Sequence, residues 1–443
     1  MTEERINKRF KILMLMISLV LIVFLYFLIL QMGIVPGADE AVDKRVADYK
    51  KSEEAKLVVE GSFLDRNNEL ITVGRGPGEA AECKYPEIYS SLIGYNSNIY
   101  GLSGLRYWYA DKLLKGGNDY IGASIKLTID SQLQEHCYQL LGNNIGSITI
   151  LDNDTGAVLA MANRSDASIE YDVNSIDKNF ETYAQINEFF YNRALLSQDP
   201  PGSTFKIVTS AALVDANEEG SEYYDEGVYK EIKNAKDAVY GQIDLQTAFT
   251  NSVNTYFAHA GDVVGKDKLE EIAESFLLGQ ETALDFGVLN SYIGLEECSD
   301  YELVSTAFGQ GNLMVSPLNV ALLIQPVAAG GNIYKPYMVD QIIDDGITKT
   351  VSSKEVISTI PERILSKLKE LTHEAALSYG FDEETFGIVY AKTGTAEVSG
   401  ADYNHIYLIF ATENYTGVIS YDRSYQSSHA LIESAQSILR YLN

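Results

Sequence analysis

DPPGSTFKIVTSAALV, residues 199–214, is a helix entrance followed by an almost wholly apolar helix. Proline and glycine ahead of a hydroxyl residue and an apolar periodic run mark a helix start. A helix that is apolar all round is buried. Ser203 falls in its first turn, and Lys206, three residues on, shares its face. A buried lysine in such a helix needs a reason, and chemistry supplies one. A serine hydroxyl is a poor nucleophile until a base takes its proton. A lysine can be that base if desolvation or another cation keeps it neutral.

Working outward, two further motifs carry matching chemistry. Ser252-Val253-Asn254, in a helical context, offers a hydroxyl and an amide two residues apart. Lys392-Thr393-Gly394-Thr395, on a strand, offers a cation, two hydroxyls and a glycine that lets a substrate backbone come close. The S-x-x-K spacing recurs at Ser175–Lys178 and Ser366–Lys369. The first lacks the Pro-Gly entrance and the apolar helix. The second lies in PERILSKLKELTHEAAL, an amphipathic surface pattern. Both read as solvated. Each motif alone is weak, but the three in this order form a specific set.

The flanking pattern predicts the frame. SIKLTID at 124–130 alternates as a strand, and SQLQEHCYQLLG places Leu133, Cys137, Leu140 and Leu141 on one helical face. SITILDNDTGAVLAMANR reads as a hairpin turning at Asn153-Asp154-Thr155-Gly156. Residues 190–335 are mainly helical in pattern. The chain then returns to strands (FGIVYAKTGTAEV, HIYLIFATE, YTGVISY) and closes on the helix HALIESAQSILRYL. Two strands, an inserted helical region, more strands and a last helix predict an α/β sandwich with a split sheet.

Ile12–Leu30 is an apolar run long enough to cross a hydrocarbon core of about 30 Å. Its length and the residues after it favour an uncleaved anchor over a cleaved signal peptide. Arg5, Lys8, Arg9 and Lys11 precede it, so the N-terminus is expected in the cytoplasm and the rest outside. The expected organisation is a tail at 1–11, an anchor at 12–30, a stem at 31–56, a small α+β membrane-proximal segment at 57–122 and the main domain at 123–443. With 34 basic and 62 acidic residues the net charge is −28, which argues against nucleic acid as a ligand. Cys83, Cys137 and Cys298 form no CxxC pair, and the five histidines show no HxxxH spacing. Disulfide scaffolds, zinc knuckles and zincin sites are thereby excluded.

The three motifs resemble those of the active-site-serine penicillin-recognising enzymes. GSFLDRNNELIT at 61–72, GYNSNIYGLSGLRYWYADKLLKG at 94–116, KLTID, NRALLSQDPPGSTFK, FGQGNLMVSPLNVA and AKTGTAE are all similar to class B penicillin-binding proteins. The resemblance implies the transpeptidase fold, a split antiparallel sheet with helices on both faces plus a helical subdomain. It implies a D,D-transpeptidase that crosslinks peptidoglycan stem peptides through a Ser203 acyl-enzyme and is acylated by β-lactams. Lys206 would be the base, Ser252 the proton relay and Asn254 a holder of Lys206 and the substrate amide. Lys392 would keep Lys206 neutral. Together with Thr393, Gly394 and Thr395 it would bind the substrate's terminal carboxylate end. The backbone N–H groups of Ser203 and Thr395 would form the oxyanion hole. No metal or cofactor is implied, and the expected partner is a SEDS-family membrane glycosyltransferase.

Other members of the wider family stay open at this stage: a D,D-carboxypeptidase, a β-lactamase, a β-lactam sensor or a non-catalytic scaffold. A β-lactamase needs a deacylating carboxylate, for which Glu281 is the candidate, although LLGQETALDFG matches better a structural turn of the penicillin-binding proteins. The chain also departs from the family pattern at two places of opposite sign. Glu60 stands where arginine is usual, and Arg106 where glutamate is usual. Either the two form an ion pair of reversed polarity between the small segment and its neighbour, or they are unrelated surface changes.

Overall fold

The computed structural model describes residues 56–97, 99–116, 119–165, 172–184, 191–351, 354–398 and 400–443. The expected anchor at 12–30, and the stem up to residue 55, lie outside the described residues. Among the described residues no helix is long and apolar enough to cross a membrane.

In chain order, the elements that position the site begin with β1 (Phe63–Leu64), β2 (Ser124–Leu127), α1 (Ser131–Leu141), β3 (Gly146–Asp152) and β4 (Val158–Arg164). The inserted region supplies α2 (Arg193–Leu196), α3 (Lys206–Ala216), α4 (Leu245–Thr250), α5 (Asn254–Ser275) and α6 (Pro317–Ala328). It also carries β5 (Val339–Asp344), β6 (Ile347–Thr350) and α7 (Glu362–Ser378). Last come β7 (Tyr390–Glu397), β8 (Asn404–Ala411), β9 (Tyr415–Ser424) and α8 (Ile432–Leu442).

The main sheet has the order β7-β8-β9-β3-β4, antiparallel throughout. It is split as expected: the hairpin β3–β4 comes before the helical insertion, and β7–β9 after it. Both faces are covered, and β8 shows why its sequence is apolar at nearly every position. Ile406, Leu408 and Phe410 enter the core shared with α1 and α8, whereas Tyr407, Ile409 and Ala411 enter the core shared with α3 and α6. With helices on both faces, β7 is left at one edge of the sheet, and it carries the Lys392–Thr395 motif.

Local signals set the helices. Asp130 caps α1 by accepting from the backbone N–H groups of Gln132 and Leu133. Ser316 and Asn319 form a reciprocal capping box at α6, with Pro317 in its first turn. The helix α3 is buried from Lys206 to Val214 and ends on left-handed Asn217. The insertion also contains several two-stranded ladders of two or three residues per strand, such as Tyr223–Asp225 with Gly241–Ile243. Strands this short leave no readable alternation. All three cysteines are free thiols.

Residues Val59–Asn443 form one compact unit. Within it, β1 pairs in parallel with β2, which pairs with β5 and then β6 in a second sheet. Glu60 and Arg106 do form an ion pair, at 2.8 Å, and both are buried. Its place differs from the expectation. Glu60 also accepts from Ala81 N and Asn96 Nδ2, while Arg106 also donates to the carbonyls of Gly94 and Ala81. All these partners fall between residues 57 and 122, so the pair ties that segment to itself. Removing one member of a buried pair costs about 3–5 kcal/mol, because the other charge is stranded. Glu60→Arg and Arg106→Glu are each expected to destabilise by at least about that amount, measured by denaturant midpoint. The double reversal recovers only part, because an arginine at 60 would meet the Ala81 N–H that Glu60 now accepts. A double reversal no more stable than the worse single change would show that the surrounding backbone dipoles, rather than the pair, fix its polarity.

Candidate active site

The turn bearing Ser203 is seated by glycines. Gly202, Ser203, Thr204 and Phe205 form a single 3₁₀ turn that runs into α3. A Cβ on Gly202, whose φ is +56°, would lie 2.4 Å from Thr395 O and 2.8 Å from Thr395 N. A Cβ on Gly309 would meet Gly202 O at 1.8 Å, and Gly202 N donates to Gly309 O at 2.9 Å. Side-chain-free backbone on both sides therefore lets β7 and the loop at 308–311 clamp the turn. Gly394 belongs to the same seat: a Cβ there would approach Pro201 O at 2.7 Å. The room at Gly394, read from sequence as space for a substrate, is filled by the chain's own turn.

Lys206 opens α3 and is fully buried. Its Nζ donates to Ser252 O at 2.7 Å, Asn254 Oδ1 at 2.8 Å and Ser252 Oγ at 3.2 Å. From the opposite side, Lys392 Nζ donates to Ser252 Oγ at 3.2 Å and to Thr393 O. Burial, and then the neighbouring Lys392 charge, pushes the Lys206 ammonium well below the usual lysine range. The rings of Phe257 and Phe249 lie 5.3 Å from Lys206 Nζ and 5.5 Å from Lys392 Nζ. Ser252 is not inside a helix as its context implied. It stands at the break between α4 and α5 with φ +56°. That left-handed turn aims both its carbonyl and its hydroxyl at Lys206, the kind of backbone strain that gathers at functional sites.

Ser203 is half-buried, and among the described residues its Oγ has no hydrogen-bond partner. Thr393 Oγ1 and Thr395 Oγ1 are hydrogen-bonded to Tyr379 Oη at 3.1 Å and Ser428 Oγ at 3.2 Å. Tyr379, just past the end of α7, and Ser428, before α8, were not legible in sequence, since neither lies in a recognisable motif. Gly309 was legible only as part of FGQGNLMVSPLNVA. The other S-x-x-K serines lie elsewhere. Ser175 hydrogen-bonds to Asp172 O, and exposed Ser366 bonds to Glu362 on the face of α7. Glu281 is exposed, while Asp285 accepts from the backbone N–H groups of Met338 and Val339 at the start of β5. The turn is thus structural.

Metal-capable side chains gather at one place among the described residues: Asp199, His405 and Asp422. Arg193 already pairs with Asp422 at 2.6 Å. The two imidazole nitrogens turn to different carboxylates, Nε2 to Asp199 and Nδ1 to Asp422. One atom from each residue lies within 4.8 Å of the others, but Arg193 and Arg423 already set cations against these carboxylates, so the group reads as an ion-pair network.

The Penicillin binding protein transpeptidase domain model matches residues 146–423. The chain is 30% identical over 351 residues to "Stage V sporulation protein D" of Bacillus subtilis, covering 70% of this chain and 52% of that protein. It is 28% identical over 366 residues to "Peptidoglycan D,D-transpeptidase PbpA" of Mycobacterium tuberculosis, covering 72% of each. It thus spans about half the length of the first relative and nearly three quarters of the second. The fold is that of M. tuberculosis penicillin-binding protein A, solved as a penicillin G acyl-enzyme, with TM-score 0.76 and 22% identity over 87% of this chain and all of that one.

Proposed function

Because the chain belongs to the class B penicillin-binding proteins, we propose that it is a peptidoglycan D,D-transpeptidase acting through a Ser203 acyl-enzyme. The observation that carries this reading is the hydrogen-bonded chain Lys206–Ser252–Lys392, with Ser203 in the turn that leads into Lys206.

A stem peptide ending in D-Ala-D-Ala adds as a strand along the edge strand β7. Lys392, Thr393 and Thr395 receive its terminal carboxylate. Neutral Lys206 has two N–H groups, which satisfy Ser252 O and Asn254 Oδ1, and its lone pair faces the Ser252 hydroxyl until the Ser203 proton arrives. Ser203 Oγ attacks the penultimate D-Ala carbonyl while Lys206 takes its proton. Such catalytic contacts tighten when substrate is bound. The backbone N–H groups of Ser203 and Thr395 stabilise the oxyanion as charge develops. Ser252 passes the proton to the departing D-Ala amine, and an ester to Ser203 remains. An amine of a neighbouring stem then attacks the ester, gives up a proton and frees Ser203. β-Lactams acylate Ser203 by presenting a strained mimic of the same amide. No step calls for a metal or cofactor.

The setting belongs to the same reading. Residues 12–30 anchor the protein once in the cell membrane, with the N-terminus in the cytoplasm and residues 57–443 outside. Glycan strands come from a SEDS-family glycosyltransferase that docks on the anchor and the 57–122 segment. Incubating the full chain with stem-peptide donor and acceptor amine should give crosslinked dimers with one D-Ala released per crosslink. D-Ala release without dimers would make it a D,D-carboxypeptidase. Replacing the anchor by an unrelated span should weaken co-purification of the glycosyltransferase, and unchanged recovery would remove the anchor from docking.

A further inference from the structure

His405 is partly buried between two carboxylates. Its Nε2 lies 3.4 Å from Asp199 Oδ1, and its Nδ1 lies 3.6 Å from Asp422 Oδ1. Asp199 starts the Pro-Pro-Gly turn that delivers Ser203 and is fixed by paired backbone hydrogen bonds to Val315. Asp422 is on β9 and is held by Arg193 of α2. His405 itself is on β8 and pairs across the sheet with Ala396, next to Thr395 on β7. One imidazole thus joins the turn before the nucleophile to the sheet that carries the oxyanion and carboxylate-binding groups.

We propose that His405, in its protonated form, is a positioning residue for acylation: it ties Asp199 to Asp422 and so holds the Ser203 turn against Thr395. This rests on the transpeptidase reading above, and it adds a proton requirement that the Lys206 chemistry does not have.

The charges around the ring fit the role. Asp199 faces it from the turn, Asp422 and Arg423 from β9, Arg193 from α2, the Tyr407 hydroxyl from β8, and Tyr403 meets it edge-on. Burial alone would favour the neutral ring. Asp422 and Asp199 outweigh it, against opposition from Arg423, and move the imidazole above its usual value. Among the described residues Tyr407 Oη is buried without a hydrogen-bond partner, and its phenol is driven well above its usual range by burial and then by the same two carboxylates, so it stays neutral. Asp199 and Asp422 thus face the imidazole together with the cations Arg193 and Arg423. Because the folded value is raised, the tie is complete below the unfolded histidine value of about 6.5. It is lost as pH rises through the folded value.

The test compares the full chain with His405→Gln by second-order acylation with a fluorescent penicillin from pH 5.5 to 9. Taking the wild-type to variant ratio at each pH cancels the titration of Lys206, which both share. The ratio should be about tenfold at low pH and fall toward one, with a midpoint above about 6.5. His405→Lys, a cation that stays charged, should keep the ratio to wild type level or rising across that range. A ratio of one at every pH, or a constant loss independent of pH, would overturn the proposal. Hydrogen exchange gives a reading independent of activity. Protection of the 202–205 amides should fall in wild type as pH crosses the His405 midpoint found by NMR, and should not respond in His405→Gln. If no variant or wild-type protein is acylated at any pH but the exchange step is present, the transpeptidase reading fails while the tie stands. If the exchange step is absent, the tie fails whatever the acylation data show.

Discussion

Ser203→Ala protein folds as wild type and takes up no covalent label from a fluorescent penicillin. Among the described residues the hydroxyl has no hydrogen-bond partner, so its removal strands none of them and changes no volume that matters to the turn. Stability should stay within about 0.5 kcal/mol, as for a substitution away from core, cap and buried network. Acylation, by contrast, has no other route, because the remaining hydroxyls of the site are committed: Ser252 to two lysines, Thr393 to Tyr379 and Thr395 to Ser428. Intact-mass spectrometry after incubation with penicillin checks both halves together. An adduct on the variant would move the nucleophile elsewhere.

Lys206→Ala is expected to slow acylation by about 10²–10⁴-fold, the usual share of a positioned general base. Two pH signatures should go with it. In wild type the acylation rate rises with pH through the lowered Lys206 value, and this rise is missing in the variant. Stability shows the second. The folded value lies below the unfolded one, so between them the unfolded chain holds more protons. Wild-type stability therefore increases as pH rises toward about 10.4, by at most about 1.4 kcal/mol per pH unit. The variant lacks that slope. Burial and the Lys392 charge together give the sign. A Lys206→Ala protein that keeps the wild-type acylation profile would assign the base to another group.

Much of this was legible in the chain. The Pro-Gly entrance, the all-apolar helix and the two flanking motifs pointed to residues that the fold does bring together around Ser252. Apolar runs set off by turn residues located β3, β4, β7, β8 and β9, and the 3.6-residue period located α1 and α8, because each is long enough to read. Three things were not legible. The short ladders of the insertion have no period to read. The break at Ser252 depends on one left-handed backbone torsion, which a polar residue between helical runs does not announce. The partners Tyr379, Ser428 and His405 reach the site from distant stretches, and a single polar residue carries no signal of what it will face. Gly394 was legible as a position needing space, but not as to who takes the space. Only the packed turn at Pro201 answers that.

The buried Glu60–Arg106 pair has a consequence for recombination. Its two halves are encoded far apart, and each is also written into the backbone around it through Ala81, Gly94 and Asn96. A hybrid gene joined between these codons to a relative with arginine at the first position would bring two guanidinium groups together in a dry interior. The opposite hybrid would bring two carboxylates. Both products would lose their folded 57–122 segment while keeping every residue of the reaction centre intact. Crossovers placed before residue 60 or after residue 106 avoid this, and a set of hybrids scanned across the interval should therefore show a gap in expression bounded by those two positions.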